Sequence, residues 1–188
     1  FWSAQLDGSG DYVEAPASSD LEFSGDFTME AWCFRNNTSR HTVLSQWEAS
    51  GTVRYRLQFD KTSGKTNVVF GQSANYEYDY THSANEWFHI ALVRDGSTVT
   101  LYENGTSLGS FTDSATIGTS LPFTIGRMTT GSNEFDGFIS NLATFMKVDV
   151  SDIRGLNSDF ININFKKMDL TSNKIIVDNQ YESVSSLH

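Results

Sequence analysis

The chain has 188 residues, 23 acidic against 13 basic, for a formal charge of −10. A chain of that length suits one domain, able to bury roughly 70% of its extended-chain surface without staples. The acidic balance argues against nucleic acid or an anionic membrane surface as the main partner, because both require a cationic footprint.

No apolar run approaches membrane-helix length and no signal peptide is visible, while the first residue, Phe1, reads as the start of a processed or excised piece. A single cysteine, Cys33, excludes an intramolecular disulfide and reads as a small buried hydrophobe. Strand-like runs recur roughly every 8–14 residues between Gly, Ser, Asn and Asp, which predicts an all-β sandwich or barrel.

In chain order, residues 1–10 end in a flexible turn before a short strand, Asp11–Ala15, closed by Pro16. Phe27–Phe34 sets Phe27, Met29, Ala31 and Cys33 on one wholly apolar face against Thr28, Glu30, Trp32 and Phe34 on a mixed one. His41–Glu48, Val53–Asp60 and Thr66–Gly71 follow, and Tyr76–Tyr80 alternates strictly, three tyrosines against two carboxylates. Trp87–Arg94, Thr98–Glu103 and Ser107–Thr112 are separated by Asp95-Gly96 and Asn104-Gly105. Both dipeptides favour type I′ turns, so the three runs form an antiparallel meander. Pro122–Arg127 and Phe135–Phe145 add two strands, Lys147–Asn157 a helical turn, and Phe160–Phe165 and Lys174–Asp178 two more strands. About eleven or twelve strands suit two large stacked antiparallel sheets.

Five of these segments arrive in a familiar order: Leu6–Val13, Phe27–Trp32, Trp87–Gly105, Phe123–Arg127 and Phe135–Ile139. Over roughly residues 4–146 the chain resembles the laminin-G-like, concanavalin-A-like jelly-roll superfamily, in the branch near pentraxins. The resemblance implies two antiparallel sheets, one concave, with loops at the rim. It divides the chain into a jelly-roll domain, 1–146, and an extension, 147–188, that adds strands to the sandwich or contacts a neighbouring subunit. It also implies calcium held by Asp7, Asp11 and Asn141, with weakened affinity, because relatives often carry acids where this chain has Ser140 and Asn141.

Catalytic chemistry finds little support. Glu77-Tyr-Asp79 is partly similar to the Glu-x-Asp-x-Glu pattern of one glycosidase group, but position 81 is Thr and the pair reads as a solvated acidic face. His41, His82, His89 and His188 stand alone in sequence, with no nucleophile elbow, zinc spacing or phosphate loop. Tyr76, Tyr78 and Tyr80 are the recognition candidate, with Trp47, Arg54 and Arg56 completing a platform on preceding strands. Internal packing and a subunit contact are the two other readings of that stripe. The expected function is non-catalytic recognition or adhesion, with a glycan or a protein surface held by rim loops or the concave face, outside the cell or on a virion surface. A structural part of a larger assembly, such as a virion decoration or fibre with like neighbours, is the second reading, and a glycosidase the third.

Overall fold

A computed structural model describes residues 3–47, 54–60, 65–71, 74–117, 121–146, 165–169 and 174–178. Alternation decides which side of each strand meets the core. In β3 (Phe27–Arg35), Phe27, Met29, Ala31 and Cys33 are buried while Trp32 on the opposite face is exposed. The same period buries Phe88, Ile90 and Leu92 of β8 (Trp87–Asp95) and Val99 and Leu101 of β9 (Thr98–Glu103). With β1 (Ala4–Asp7), β10 (Thr106–Thr112), β12 (Asp136–Met146), β13 (Phe165–Asp169) and β14 (Lys174–Asp178), these strands make one eight-stranded sheet. Its order is β10-β9-β8-β3-β12-β13-β14, and β1 also pairs with β12.

The second sheet has the order β2-β11-β4-β5-β6-β7. Its strands are β2 (Val13–Ala15), β4 (His41–Gln46), β5 (Arg54–Asp60), β6 (Lys65–Gly71), β7 (Ala74–Asp79) and β11 (Phe123–Ile125). The core lies between the sheets, where Phe59 and Phe88 meet edge-on at 5.3 Å and Tyr55 packs near Phe23 and Phe123. Each such fully buried ring contributes roughly 2–3 kcal/mol relative to exposure. Every described pairing is antiparallel, so the two-sheet antiparallel jelly roll expected from the sequence is what forms.

The meander forms with one change of turn. Asn104 and Gly105 both take positive φ, 49° and 78°, as a type I′ turn requires. In the first hairpin Asp95 pairs with Thr98, so the central residues are Gly96 and Ser97, and only Gly96 has positive φ, 60°. A single positive φ at the first central position is the type II′ pattern, one residue later than the dipeptide suggested. Residues 4–7, read as leading into a turn, form β1, because Leu6 buries itself while pairing with Gly137 of β12. The helical turn expected in 147–157 and the strand expected over 160–164 lie outside the described residues.

Candidate functional site

The tyrosine stripe faces inward. Leu57, Val68 and Tyr76 are directly opposite one another across β5, β6 and β7, and Leu57 and Val68 belong to the core. Tyr76 stacks on Phe111 at 3.6 Å, and Tyr80 stacks on His82 at 4.4 Å. Tyr78 lies over Gly109, where an added Cβ would sit 2.2 Å from its ring. All three tyrosines are half-buried against the core, and Tyr76 and Tyr78 join edge strand β7 to edge strand β10.

Arg56 points the other way, between buried Tyr55 and Leu57, and its guanidinium covers the Trp47 ring at 4.8 Å. Arg54 begins β5, and its side chain lies outside the described residues. Among the five members whose side chains are described, the platform does not assemble: three tyrosines serve the interior and Trp47 with Arg56 sits on the outer face. One-residue steps along a strand reverse the face, which spacing between strands could not reveal. Glu77 and Asp79 are exposed on that outer side, and Asp79 is paired with Lys65 at 2.5 Å.

The three residues implied for calcium do not converge either. Asp7 and Asp11 share one turn, in which Asp11 accepts from the Asp7 amide at 3.2 Å and Asp7 accepts from the Ser9 amide at 2.8 Å. Asp7 pairs with Asp136, whereas Asn141 lies five residues farther along β12, on the order of 15 Å away at strand rise. The nearer acid, Asp136, accepts amide protons from Asn36 and Asn37 at 2.6 and 2.5 Å, so both its oxygens already have donors. Among the described residues no cluster of three His, Cys, Asp or Glu side chains is placed to hold a metal. Asp7, Asp11 and Asn141 therefore do not form one donor set.

Two histidines that stand alone in sequence meet inside the fold. Arg35 donates to Nδ1 of His41 at 3.3 Å, to Nε2 of His82 at 2.8 Å and to the Ser39 carbonyl at 2.9 Å. Since a guanidinium only donates, Nε2 of His82 accepts and its proton sits on Nδ1, directed at Glu103 Oε2 2.8 Å away. Burial and the neighbouring Arg35 charge push His41 down to about 4. Burial also lowers His82, outweighing the pull of Glu103. Burial opposes ionisation of Glu103, but hydrogen bonds from His82 and Thr81 prevail and hold it below the usual carboxylate range. Arg35, His41, His82 and Glu103 are each at most 6% exposed, so the cluster joins the two sheets away from solvent.

The outer face of the eight-stranded sheet is different. Trp32 and Trp87 are 42% and 44% exposed although both sit in mid-sheet strands, and each has an aromatic cross-strand partner. Trp32 is opposite His89 with ring centroids 5.3 Å apart, and Trp87 is opposite Phe34 at 5.7 Å. Phe138 extends the patch, 5.7 Å from Phe34 and 6.3 Å from Trp87. The two tryptophans, with Ser3, Ser140 and Asn141, line an open cleft of about 310 Å³.

Asn141 reaches this cleft because of a β-bulge. Ser140 pairs with Trp32 but Ala143 pairs with Glu30, so one extra residue is inserted into β12. Leu142 turns into the core, and Asn141 is exposed at φ 49°, a left-handed conformation that Asn tolerates better than most side chains. Two consecutive residues, Ser140 and Asn141, thereby line one cleft, which an unbroken strand forbids. The arrangement supplies flat apolar surfaces beside a hydroxyl-and-amide rim. None of the described residues lining it is a carboxylic acid, a histidine or a lysine. The sequence signal for this site is an aromatic one: Trp32 and Phe34, then Trp87 and His89, occupy the faces of β3 and β8 turned away from the core.

A laminin G family model, described as the concanavalin A-like lectin/glucanases superfamily, matches residues 7–148. No curated relative matches the chain. Among solved structures, domains LG4–5 of the mouse laminin α1 chain are similar at 16% identity and TM-score 0.63, over 82% of this chain and 44% of that one. A protein from Bacteroides ovatus titled a putative carbohydrate binding protein is similar at 17% identity and TM-score 0.62, over 98% and 60%. Domain 4 of an extracellular arabinanase from Geobacillus stearothermophilus, solved with arabinotriose, is similar at 22% identity and TM-score 0.62, over 76% and 69%. The chain thus spans less than two thirds of the first two, and at these identities the likeness is one of fold.

Proposed function

Because the chain belongs to the concanavalin A-like lectin/glucanases superfamily, we propose that it is a non-catalytic recognition module that binds carbohydrate in the cleft between Trp32 and Trp87. One observation carries this reading. Two tryptophans that alternation permits to face water stay exposed in the middle of a sheet, beside an amide that a bulge re-aims toward them. Sugar rings present C–H faces that lie on aromatic rings, and their hydroxyls need planar or hydroxylic partners, here Asn141, Ser3 and Ser140. Two of the similar structures carry carbohydrate in their titles, which supports the reading without specifying a ligand. Action outside the cell accords with it. No helix among the described residues is long and apolar enough to cross a membrane.

The test is a glycan array followed by isothermal titration on the wild-type chain, W32A and W87A. Each single truncation is expected to weaken binding by about five- to 150-fold, since stacking on an aromatic contributes roughly 1–3 kcal/mol. Binding is expected to survive chelation of divalent cations, because no carboxylate lines the cleft among the described residues. Undiminished binding in both tryptophan variants removes the cleft from the proposal.

A second reading rests on the same aromatic surface. Trp32, Phe34, Trp87 and Phe138 make a continuous patch of the kind that subunit contacts use, which suits an assembly role in which like chains are the partner. Light scattering on W87A separates the two: a loss of oligomers that wild type forms favours assembly, and a monomer throughout favours a ligand.

A further inference from the structure

The loop 127–134, between β11 and β12, lies on the outer face of the six-stranded sheet. Thr129 Oγ1 sits 3.3 Å from the hydroxyls of Ser45 and Thr124, which share that face with Arg56 because Thr124 pairs with Ser45 and Ser45 with Arg56. The loop is closed by the Met128 amide donating to the Ser132 carbonyl at 2.8 Å, and fixed to β4 by the Thr42 amide donating to the Asn133 carbonyl at 2.9 Å. Inside it, three donors converge on one thioether. Asn133 Nδ2 is 3.0 Å from Met128 Sδ, Ser132 Oγ 3.6 Å and Arg56 Nη1 3.7 Å. A thioether is a weak acceptor, so amide, hydroxyl and guanidinium are poorly matched by it. A sulfoxide oxygen on the same sulfur is a strong acceptor and matches all three.

We propose that Met128 is a modification site, taking one oxygen atom from a hydroperoxide to give a methionine sulfoxide that Asn133, Ser132 and Arg56 hold in place. Sulfur attacks the terminal oxygen of the hydroperoxide, and the S–O bond forms as the O–O bond breaks. The departing oxygen keeps the bonding pair, takes the proton of the transferred hydroxyl and leaves as an alcohol or water. Sulfur loses two electrons and the peroxide gains them. Donors already aimed at the sulfur favour the negative charge that develops on the departing oxygen. Met128 is 7% exposed, but Thr130, Gly131 and Ser132 beside it are exposed, so only a surface loop separates the sulfur from solvent. Oxidation of a buried methionine ordinarily disrupts its surroundings. Here it ties the loop more firmly to β5 through Arg56, whose guanidinium covers Trp47.

The chain has four methionines, at 29, 128, 146 and 168. In an M146L/M168L background the remaining one besides Met128 is Met29, which is fully buried in the core. Asn133 has φ 55°, which glycine adopts without strain, so N133G removes the amide donor and keeps the loop backbone. Both proteins are to be treated with dilute hydrogen peroxide, mapped by peptide mass and melted. The expected result is one added oxygen on Met128 and none on Met29, with the oxidised protein melting at or above the unoxidised one. Oxidised N133G is expected to melt below its own unoxidised form. An unmodified Met128 in protein that stays folded overturns the proposal, and so does a shift on oxidation that is the same with and without N133G. M128Q, which puts an oxygen acceptor in place of the sulfur, is expected to melt above M128L, which leaves the donors facing a hydrocarbon; the reverse order overturns the proposal without any oxidation step.

Discussion

At the scale of single residues, the cluster around Arg35 shows how charge is kept inside a β-sandwich. Arg35 and Glu103 are both almost fully buried and communicate through a neutral His82. Removing one partner leaves the other charged and uncompensated, so E103Q is expected to cost roughly 3–5 kcal/mol in urea denaturation. The same cluster makes stability depend on pH. His41 has its folded value near 4, below the ordinary 6.5 of an exposed imidazole, so between these values the unfolded chain binds the extra proton. Its contribution is complete above pH 6.5 and is lost as pH falls toward 4. His82 is shifted the same way, and Glu103, held low, contributes above its unfolded value and loses that contribution in more acid solution. Urea midpoints should therefore fall steadily from pH 7 to pH 4.5, with a shallower fall in H41Q. A flat profile in wild type contradicts the neutral assignment of these rings.

At the scale of elements, two sheet edges have to meet where the sandwich closes, and one glycine lets them. β10 approaches β7 through Gly109, over which the Tyr78 ring lies, with Tyr76 on Phe111 beside it. A methyl group at Gly109 would be 2.2 Å from an aromatic carbon, so G109A is expected to lower stability by about 1–3 kcal/mol. The double variant G109A/Y78A should regain part of that loss relative to the two single changes added together, a coupling that thermal melts of all four proteins would reveal. Simple additivity would mean that the tyrosine ring and the glycine do not share this contact. The bulge in β12 has the converse use: it opens a position to solvent where Gly109 closes one.

At the scale of the molecule, the described strands of the extension reach the body of the sandwich through few pairs. β13 meets β12 only at Ala143 with Lys167 and Thr144 with Lys166, whereas β12 and β3 pair over eight positions. A chain ending at Met146 keeps the β3–β12 and β1–β12 pairings and every core residue among those described. We expect that truncation to unfold cooperatively and to retain the ligand binding of the full chain, measured by denaturant titration and calorimetry. Loss of cooperative unfolding would place the extension within the folding unit.

The sequence by itself determined the class of fold, because period-2 alternation in Phe27–Phe34 and Trp87–Arg94 and the glycine-bearing corners near 96 and 105 are local constraints that each strand satisfies alone. It also separated core from surface within a strand, as Met29 and Cys33 against Trp32 show. What it left undecided was which exposed faces become neighbours. The tyrosines of β7 and Arg56 of β5 fell on opposite sides, and Trp32, Trp87 and Asn141 came together. Those outcomes depend on cross-strand register and on one inserted residue between Ser140 and Ala143. Register is set by pairing energies summed over whole sheets, so only the assembled structure could bring the cleft into being.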